Sequence, residues 1–336
     1  MHPRNPIDIE AERSGEPVFR EVGVGPWNEA HAGEPRPDDP TSPLYPNRFR
    51  YDPTLLDEGD RRNVLDRYRY WTVNAIKADL DAHGRHDFEV AIENWTHDFN
   101  IGSMVRTANA FQAKRVHIVG PHKWNRNGAL MTELYQHMEH HPSIAELVEC
   151  WRNRIAGEIA AERARAAAAA FHAHEVARGA YAPTSHDAGS TAFRNVSTPT
   201  NAGHPEYDPF APTYVESGHA GDGSAGSADS AGEPARSQAA YLAELDAADA
   251  RIRELEAARV IAMDIIPGAV PMETYAFPKR CLLLFGAEGP GLTRTALDLA
   301  DDVVYISQFG SVRSINAGAA AAVAMHSWIA QHAVIR

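Results

Sequence analysis

Residues 282–293, LLLFGAEGPGLT, form an apolar run that ends in a glycine-rich turn. The apolar residues predict a buried strand, and Gly286, Gly289 and Gly291 predict a sharp turn at its carboxyl end. Open α/β sheets bind ligands at this end of their strands, and glycines let backbone N–H groups approach a ligand. The turn matches neither GxGxxG nor the phosphate-loop patterns GxxxxGKS and GxxxxGKT, so it does not predict a nucleotide phosphate site. Taken alone, it also fits a tight turn with a solvated Glu288.

The segments around this stretch alternate between short apolar strands and helices. Strands are predicted at 88–94, 115–120, 259–266, 279–286 and 303–308, and helices at 61–82, 101–112, about 133–140, after Pro142, and from Ile315 to about Gln331. This alternation predicts an α/β fold with a mostly parallel sheet. The last helix is almost entirely small and apolar, so we expect it to be buried against the sheet or a partner subunit.

The composition divides the chain into an α/β domain and two segments outside it. Residues 1–58 are rich in Pro, Gly, Glu and Asp, which predicts an extended or disordered acidic arm. Residues 59–150 and 258–336 carry the α/β pattern. Residues 151–257 are interpreted as an insertion of two helices joined by a disordered tip at 181–236, because the tip has too few apolar residues to offset its ordering entropy.

Charge, cysteine content and hydropathy limit the classes of protein. The chain has 336 residues and a formal charge of −13, but residues 61–150 carry as many basic as acidic side chains. No apolar run is long enough for a membrane span, and the first residues lack the pattern of a secretion signal, so we expect a cytoplasmic protein without a membrane partner. Cys150 and Cys281 are expected to be reduced.

Residues 99–111, FNIGSMVRTANAF, predict a helix with an arginine on its polar face. Asn100 suits the position that caps the helix start. Helical spacing places Arg106 beside Gly102 and Ser103, whose small side chains leave space over the guanidinium. By itself this pattern fits a capped surface helix with one solvated arginine.

Residues 306–328, ISQFGSVRSINAGAAAAVAMHSW, lead from a strand through a loop into a helix of small residues. Ser314 suits the cap of this helix, and Asn316 lies in its first turn. The small residues permit close packing against a neighbouring element. By itself the pattern requires no more than helix capping.

Together the three stretches resemble the motifs of the SpoU, or TrmH-like, branch of the SPOUT RNA methyltransferases. The matching residues are Asn100, Arg106, Thr107, Ala108, Ala110 and Phe111 in the first motif, 285–292 in the second, and Ile306, Gly310, Ser314 and Asn316 in the third. Ser307 replaces a proline of the family pattern and Ile315 replaces a leucine. The resemblance covers about 60–150 and 258–333.

The resemblance implies a fold with a C-terminal deep trefoil knot, a homodimer, and S-adenosylmethionine as the cofactor. The residues implied to surround the cofactor are Met263, Asp264, Phe285, Gly286, Ala287, Gly289, Gly291, Ile306, Gln308, Ser314 and Ile315. The implied reaction is methyl transfer to a ribose 2′-hydroxyl of tRNA or ribosomal RNA.

The resemblance also implies a catalytic set. It consists of Asn100, Arg106, Glu288, Ser314 and Asn316. The family mechanism takes the arginine as the general base, but neutral guanidinium is very costly, so Arg106 is better suited to binding RNA phosphate and polarising the hydroxyl. The proton could leave through a phosphate oxygen or water, and Glu288 is a second candidate for the base. Glu288 is also expected to hold Arg106 or Asn316 in place.

Further RNA contacts are expected from Lys123, Trp124 and Arg126, a basic and aromatic group in the loop after the second strand. A solvated loop is the alternative. The histidines of YQHMEHH, at 137, 140 and 141, suggest a metal site, but the sequence shows no carboxylate or cysteine set that completes it, and the family uses no metal. No metal is therefore predicted.

Two other functions remain open at this point. One is a knotted RNA-binding scaffold without catalytic activity, although the presence of all five catalytic residues argues against it. The other is a nicotinamide dehydrogenase, which the missing GxGxxG disfavours.

Overall fold

The computed structural model describes residues 5–16, 22–96, 100–179 and 236–334. The chain forms two compact units, Met1–Ala160 with Ile252–Arg336, and Ala161–Arg251. Within the described ranges, no helix has the length and apolar character needed to cross a membrane.

The first unit contains a sheet of seven parallel strands. They are β1 (Phe88–Glu93), β2 (Val116–Val119), β3 (Met138–His141), β4 (Arg259–Met263), β5 (Val270–Pro271), β6 (Cys281–Phe285) and β7 (Asp302–Tyr305). Their spatial order is β3-β2-β1-β6-β4-β7-β5. The register of the two central strands places Phe88 opposite Cys281 and Ile92 opposite Phe285. The predicted parallel α/β sheet is therefore confirmed.

The described α-helices carry the labels α1 to α9. They are α1 (Pro6–Ser14), α2 (Trp27–Ala30), α3 (Pro53–Glu58), α4 (Val73–Ala82), α5 (Ile101–Ala110), α6 (Ile144–Ala177), α7 (Gln238–Glu256), α8 (Arg294–Leu299) and α9 (Ala317–His332). Short 3-10 helices at Tyr45–Arg50, Asp66–Tyr68, Asn127–Ala129, Thr132–Leu134 and Met272–Thr274 join some of them.

Both faces of the sheet are buried, as expected for parallel strands that read as continuous apolar runs. On one face, Ile92 packs in a cluster with Met104 of α5 and Trp328 of α9. On the other face, Ala91 packs with Leu147 and other residues of α6. The prediction that the last helix is buried against the sheet is thus confirmed for the side of α9 that carries Trp328.

Two predicted helices are wrong in part or entirely. The segment predicted as a helix at 133–140 is a 3-10 turn followed by the edge strand β3. The residues of β3 are mostly polar, so the sequence shows no apolar run that would predict a strand. Within 61–82 only Val73–Ala82 is α-helical. Tyr70 has a positive φ that interrupts the pattern, and Thr72 caps α4 by accepting a hydrogen bond from Ala75 N.

The N-terminal segment departs from the predicted extended or disordered arm. Trp27 and Leu56 are buried with Tyr70, and the Tyr70 hydroxyl donates to Gly25 O at 2.6 Å. An antiparallel bridge joins Val24 to Asp60. A few large aromatic side chains therefore fold residues 22–58 onto the rest of the unit, an effect that average composition does not reveal.

The second unit contains the later part of α6 and most of α7. Ala166, Ala169 and Ala173 are buried on α6, and Tyr241 of α7 stacks on His172 with ring centroids 5.3 Å apart. Alanines on the buried side allow close approach of the two helices. The predicted tip at 181–236 lies outside the described residues except for Arg236, so the inserted tip stays a prediction.

Candidate active site

Residues from all three motifs meet in one hydrogen-bonded cluster. The Asn100 side-chain amide donates to Glu288 Oε2, and Asn316 Nδ2 donates to Asn100 Oδ1 at 2.9 Å. Asn316 Nδ2 also lies 3.5 Å from Glu288 Oε1. The cluster joins the start of α5, the glycine turn after β6 and the start of α9. Chain segments 188 and 216 residues apart therefore form one site, as the resemblance implied.

The two predicted helix caps are corrected by this cluster. The Asn100 side chain makes no capping hydrogen bond to α5 because it is bonded to Glu288 and Asn316. The cap of α9 is Asn316, whose Oδ1 accepts a hydrogen bond from Ala319 N, whereas Ser314 is exposed in the preceding loop. Asn316 thus fixes the start of α9 and holds the cluster at the same time.

The small residues of the first motif permit close backbone packing. A Cβ on Gly102 would lie 2.9 Å from Ala129 N and from Gly128 Cα. A Cβ on Gly318, at the start of α9, would lie 2.7 Å from Ser103 Oγ. Gly102 is buried against the neighbouring loop, which corrects the prediction that it leaves space over the arginine. The small residues bring the loop and α9 onto α5.

Arg106 is exposed one helical turn beyond Ser103 on α5. Among the described residues, no hydrogen bond or ion pair to its guanidinium is found. The predicted contact from Glu288 is therefore made to Asn316 and Asn100 and not to Arg106. Arg106 presents all its donors to solvent beside the cluster, so they can bind an anionic ligand.

The glycine turn after β6 has a geometry that excludes a side chain at its first position. A Cβ on Gly286 would lie 2.1 Å from the Gly291 carbonyl carbon and 2.3 Å from Leu292 N. Gly289 and Gly291 have φ values of 95° and 74°, which glycine adopts at little cost. Gly291 N donates to Ala287 O at 3.0 Å and closes the turn. The turn is thus specified by its glycines.

Two carboxylates anchor the far end of this turn. Asp264, directly after β4, accepts a hydrogen bond from Leu292 N at 3.2 Å. Glu93, at the end of β1, accepts bonds from Thr293 N and Thr293 Oγ1, both at 2.7 Å. Sequence reasoning missed Glu93, although a glutamate at the end of the apolar strand FEVAIE was a usable signal. Asp264 was predicted beside the cofactor, and the structure shows it holding the turn.

Replacement of Glu93 with glutamine is expected to lower the free energy of unfolding by about 1–3 kcal/mol, because a buried charged acceptor is lost. The amide cannot accept both Thr293 bonds equally well, and one of its N–H groups would face a donor. Urea unfolding of the purified variant measures the effect. Glu149→Gln, an exposed change on α6, is the matched control, and equal stability of the two variants would contradict the anchoring role.

The last residues of three adjacent strands, and the residues that follow them, line the same edge of the sheet. Met263, Phe285 and Tyr305 end the neighbouring strands β4, β6 and β7. Met263 and Ile306 pack against the apolar core, and Phe285 is buried within it. Ile315 is half-buried. These positions form the carboxyl edge where parallel sheets bind ligands.

The loop after β7 contains an unpaired acceptor and an adaptation to the missing proline. Ser307 N and Ser307 Oγ donate to Glu273 at 3.2 and 2.9 Å, so the serine uses a backbone N–H that proline lacks.

The side-chain oxygen of Gln308 is buried without a hydrogen-bond partner in the described part of the chain. A buried acceptor of this kind suits a donor from a ligand.

The loop after β2 places basic and aromatic side chains next to α5. Trp124 packs partly against the core, and the Arg126 guanidinium lies 5.9 Å from the centre of its ring. Lys123 and Arg126 are exposed. Because Gly128 of the same loop packs on Gly102, this surface borders the helix face that carries Arg106.

The fold and the site define an α/β protein with a parallel sheet, a glycine turn at the sheet's carboxyl edge, and an asparagine–glutamate cluster beside an exposed arginine. Residues 219–326 match the model of the SpoU rRNA Methylase family. The match includes the second and third motifs and lies C-terminal to the first. The resemblance to the SpoU family that the motifs indicated is confirmed.

Individual relatives are similar over part of their length. The chain is 43% identical over 58 residues to a tRNA (guanosine(18)-2′-O)-methyltransferase of Saccharomyces cerevisiae, a match that covers 17% of this chain and 4% of the yeast protein. The SpoU methyltransferase AviRb from Streptomyces viridochromogenes, solved with AdoMet, is 18% identical, with a TM-score of 0.39 over 74% of this chain and 58% of that one. The A. aeolicus TrmH/SpoU tRNA modifying enzyme is 11% identical, with a TM-score of 0.42 over 77% of this chain and 81% of that one.

Proposed function

We propose that this protein transfers a methyl group from S-adenosylmethionine to a ribose 2′-hydroxyl of RNA. The observation that carries the proposal is the cluster of Asn100, Glu288 and Asn316 next to an exposed Arg106 that has no partner among the residues the structure describes. The family match over 219–326 supports it. A catalytically inactive scaffold is disfavoured because such a protein has no need to keep these side chains bonded together.

The residues at the carboxyl edge of the sheet fit the cofactor. When bound, S-adenosylmethionine supplies an electrophilic methyl group on a sulfonium sulfur. The glycine turn from Gly286 to Gly291 offers backbone groups to the adenosine, and Met263 and Ile306 offer apolar surface. The buried oxygen of Gln308, which has no partner within the described ranges, can accept a hydrogen bond from an amino group. Ser314 and Ile315 would border the cofactor at the same edge of the sheet.

Arg106 is proposed to bind the RNA and to polarise the reacting hydroxyl. A guanidinium offers five N–H donors and no acceptor, so the role open to Arg106 is to donate hydrogen bonds to the hydroxyl or to a phosphate. A bidentate contact to a phosphate would hold the ribose beside the carboxyl edge of the sheet. The hydroxyl proton passes to a phosphate oxygen or to water, since the site is open to solvent.

Asn100, Glu288 and Asn316 are proposed to keep the three motifs in register. Both Glu288 oxygens interact with side-chain amides, which ties the glycine turn to α5 and to the start of α9. Such positioning is a large part of catalysis when two reactants must be aligned. Lys123, Trp124 and Arg126 would bind neighbouring nucleotides by charge and stacking.

The assembly and surroundings of the protein are part of the same proposal. A homodimer is supported by apolar side chains left exposed near the site, including Phe309 and Val312 at 97% and 61% exposure. A trefoil knot is supported by the return of the last segment to the turn after β6, where Asn316 meets Glu288. The protein is proposed to act in the cytoplasm on tRNA or ribosomal RNA.

Tritiated methyl transfer into RNA from a host strain that lacks this gene tests the activity. We expect label in one RNA pool, in an alkali-stable dinucleotide, because 2′-O-methylation blocks cleavage of the adjacent bond. Separate tRNA and ribosomal RNA pools identify the substrate class. Calorimetric binding of the cofactor without label in any pool would support the scaffold instead.

A further inference from the structure

Two histidines and a glutamate converge on the face of the sheet that α6 covers. His117 of β2 lies opposite Glu139 of β3, and His141 ends β3. His117 Nδ1 lies 3.0 Å from His141 Nε2. Glu139 Oε2 lies 3.4 Å from His117 Nδ1 and 3.6 Å from His141 Nε2. Three atoms of the kind that bind metal ions therefore lie within 3.6 Å of one another.

The outer nitrogen of each ring is bound to a carboxylate. His117 Nε2 lies 2.7 Å from Glu89 Oε2, and His141 Nδ1 lies 2.6 Å from Glu146 Oε2. A proton on each outer nitrogen satisfies these two contacts and leaves each inner nitrogen with a lone pair. The two lone pairs and the Glu139 oxygen then point at one another, an arrangement that needs a cation between them.

We propose that His117, Glu139 and His141 bind a zinc ion. Ligand atoms about 2.0–2.1 Å from a tetrahedral zinc lie about 3.3 Å apart, and the three observed separations of 3.0, 3.4 and 3.6 Å bracket that value. Metal-bound histidines usually donate their other N–H to a carboxylate, the role that Glu89 and Glu146 have here. Water would take the fourth position. The ion would fasten edge strand β3 to β2.

Neighbouring arginines set the electrostatic context of the site. Arg154 Nη2 lies 2.9 Å from Glu139 Oε2, and Arg115 Nε lies 2.8 Å from Glu139 Oε1. Arg280 Nη2 lies 2.7 Å from the second oxygen of Glu89. These cations hold the carboxylates in place, and Arg154 contacts the same Glu139 oxygen that faces the two rings. A proton shared by the two rings is the alternative cation there.

Sequence analysis predicted no metal because it considered His137, His140 and His141 together, and these three do not form one site. His137 pairs with Asp81 at 3.0 Å, and His140 is exposed on the other side of β3. Only His141 of that group reaches the site. Its partners are Glu139, two residues away on the same face of the strand, and His117 from the neighbouring strand. Strand pairing, which the sequence reasoning did not foresee for this segment, completes the ligand set.

The zinc proposal is tested on the full-length protein. Elemental analysis after expression with added zinc is expected to give one equivalent, and cobalt substitution is expected to give the visible absorption of a tetrahedral site. In titrations against a chromogenic zinc chelator, His141→Gln should weaken binding at least about 100-fold. Glu146→Gln keeps all three ligands and should weaken it about 10–100-fold. His140→Gln is the matched control and should leave it unchanged.

Three outcomes would overturn the proposal. The first is a wild-type protein that binds neither zinc nor cobalt, which would leave a shared proton between the rings. The second is zinc binding that His141→Gln, Glu146→Gln and His140→Gln affect equally, which places the ion elsewhere. The third is a Glu146→Gln variant, folded by circular dichroism, with unchanged zinc affinity.

Discussion

Replacement of Arg106 with alanine is expected to lower the rate of methyl transfer by about 100- to 1,000-fold, the usual loss when a donor that stabilises a transition state is removed. The exposed guanidinium has no partner within the described residues, so its loss leaves the fold intact. Cofactor affinity should stay within about twofold by calorimetry, because the residues proposed to hold the cofactor follow β4, β6 and β7. The rate is measured in single-turnover assays with tritiated cofactor and the RNA pool that accepts the methyl group.

Two further variants make this prediction specific to the position of Arg106. Arg106→Lys keeps the charge but loses the bidentate fork, so its rate should fall between those of alanine and wild type. Arg294→Ala removes another exposed arginine, one that pairs only with Asp298 of α8 in the described structure, and should keep the wild-type rate. An Arg106→Ala variant as active as Arg294→Ala would refute the proposed role.

Replacement of Gly286 with alanine is expected to lower the free energy of unfolding by about 3 kcal/mol, the upper part of the usual range for overpacking. The new methyl group would lie 2.1–2.3 Å from the backbone of Gly291 and Leu292, which cannot move as a flexible side chain could. The turn must open, so the variant should also lose measurable cofactor binding. Urea unfolding and calorimetry report the two effects separately.

Gly157→Ala is the matched control for this substitution. Gly157 lies within α6, and a Cβ there would meet no atom within 4 Å. Alanine in a helix is favoured over glycine by up to about 1 kcal/mol, so this variant should be as stable as wild type or slightly more stable. A Gly286→Ala variant that unfolds at the same urea concentration and binds the cofactor would show that the turn is not closely packed.

The central strands and the three motifs were predictable because their signals are local. An apolar run such as CLLLF specifies a buried strand by itself, and the sheet indeed buries all of β6. The glycines of the turn were predictable for the same reason. The motifs also led us to expect Glu288 beside Arg106 or Asn316, and the structure places it beside Asn316.

The misjudged elements depend on contacts with distant residues. Strand β3 can be polar because Glu139 and His141 are stabilised by ionic partners on β2 and α6. The folded segment around Trp27 depends on Tyr70, more than 40 residues away. Asn100 was predicted to cap its own helix, but its side chain binds residues that no local pattern could place beside it.

The sequence by itself determined the fold class, the glycine turn and the set of side chains in the candidate site, because residue type and spacing act over a few neighbouring positions. Tertiary structure alone decided what those side chains do. In the folded chain, Asn316 caps α9, and Glu93 and Asp264 accept hydrogen bonds from the end of the glycine turn. Arg106 has no partner in the described residues, and His117 lies beside Glu139 and His141. Hydrogen bonds and ion pairs depend on which segments the packed sheet brings together, and no single stretch of sequence determines that pairing.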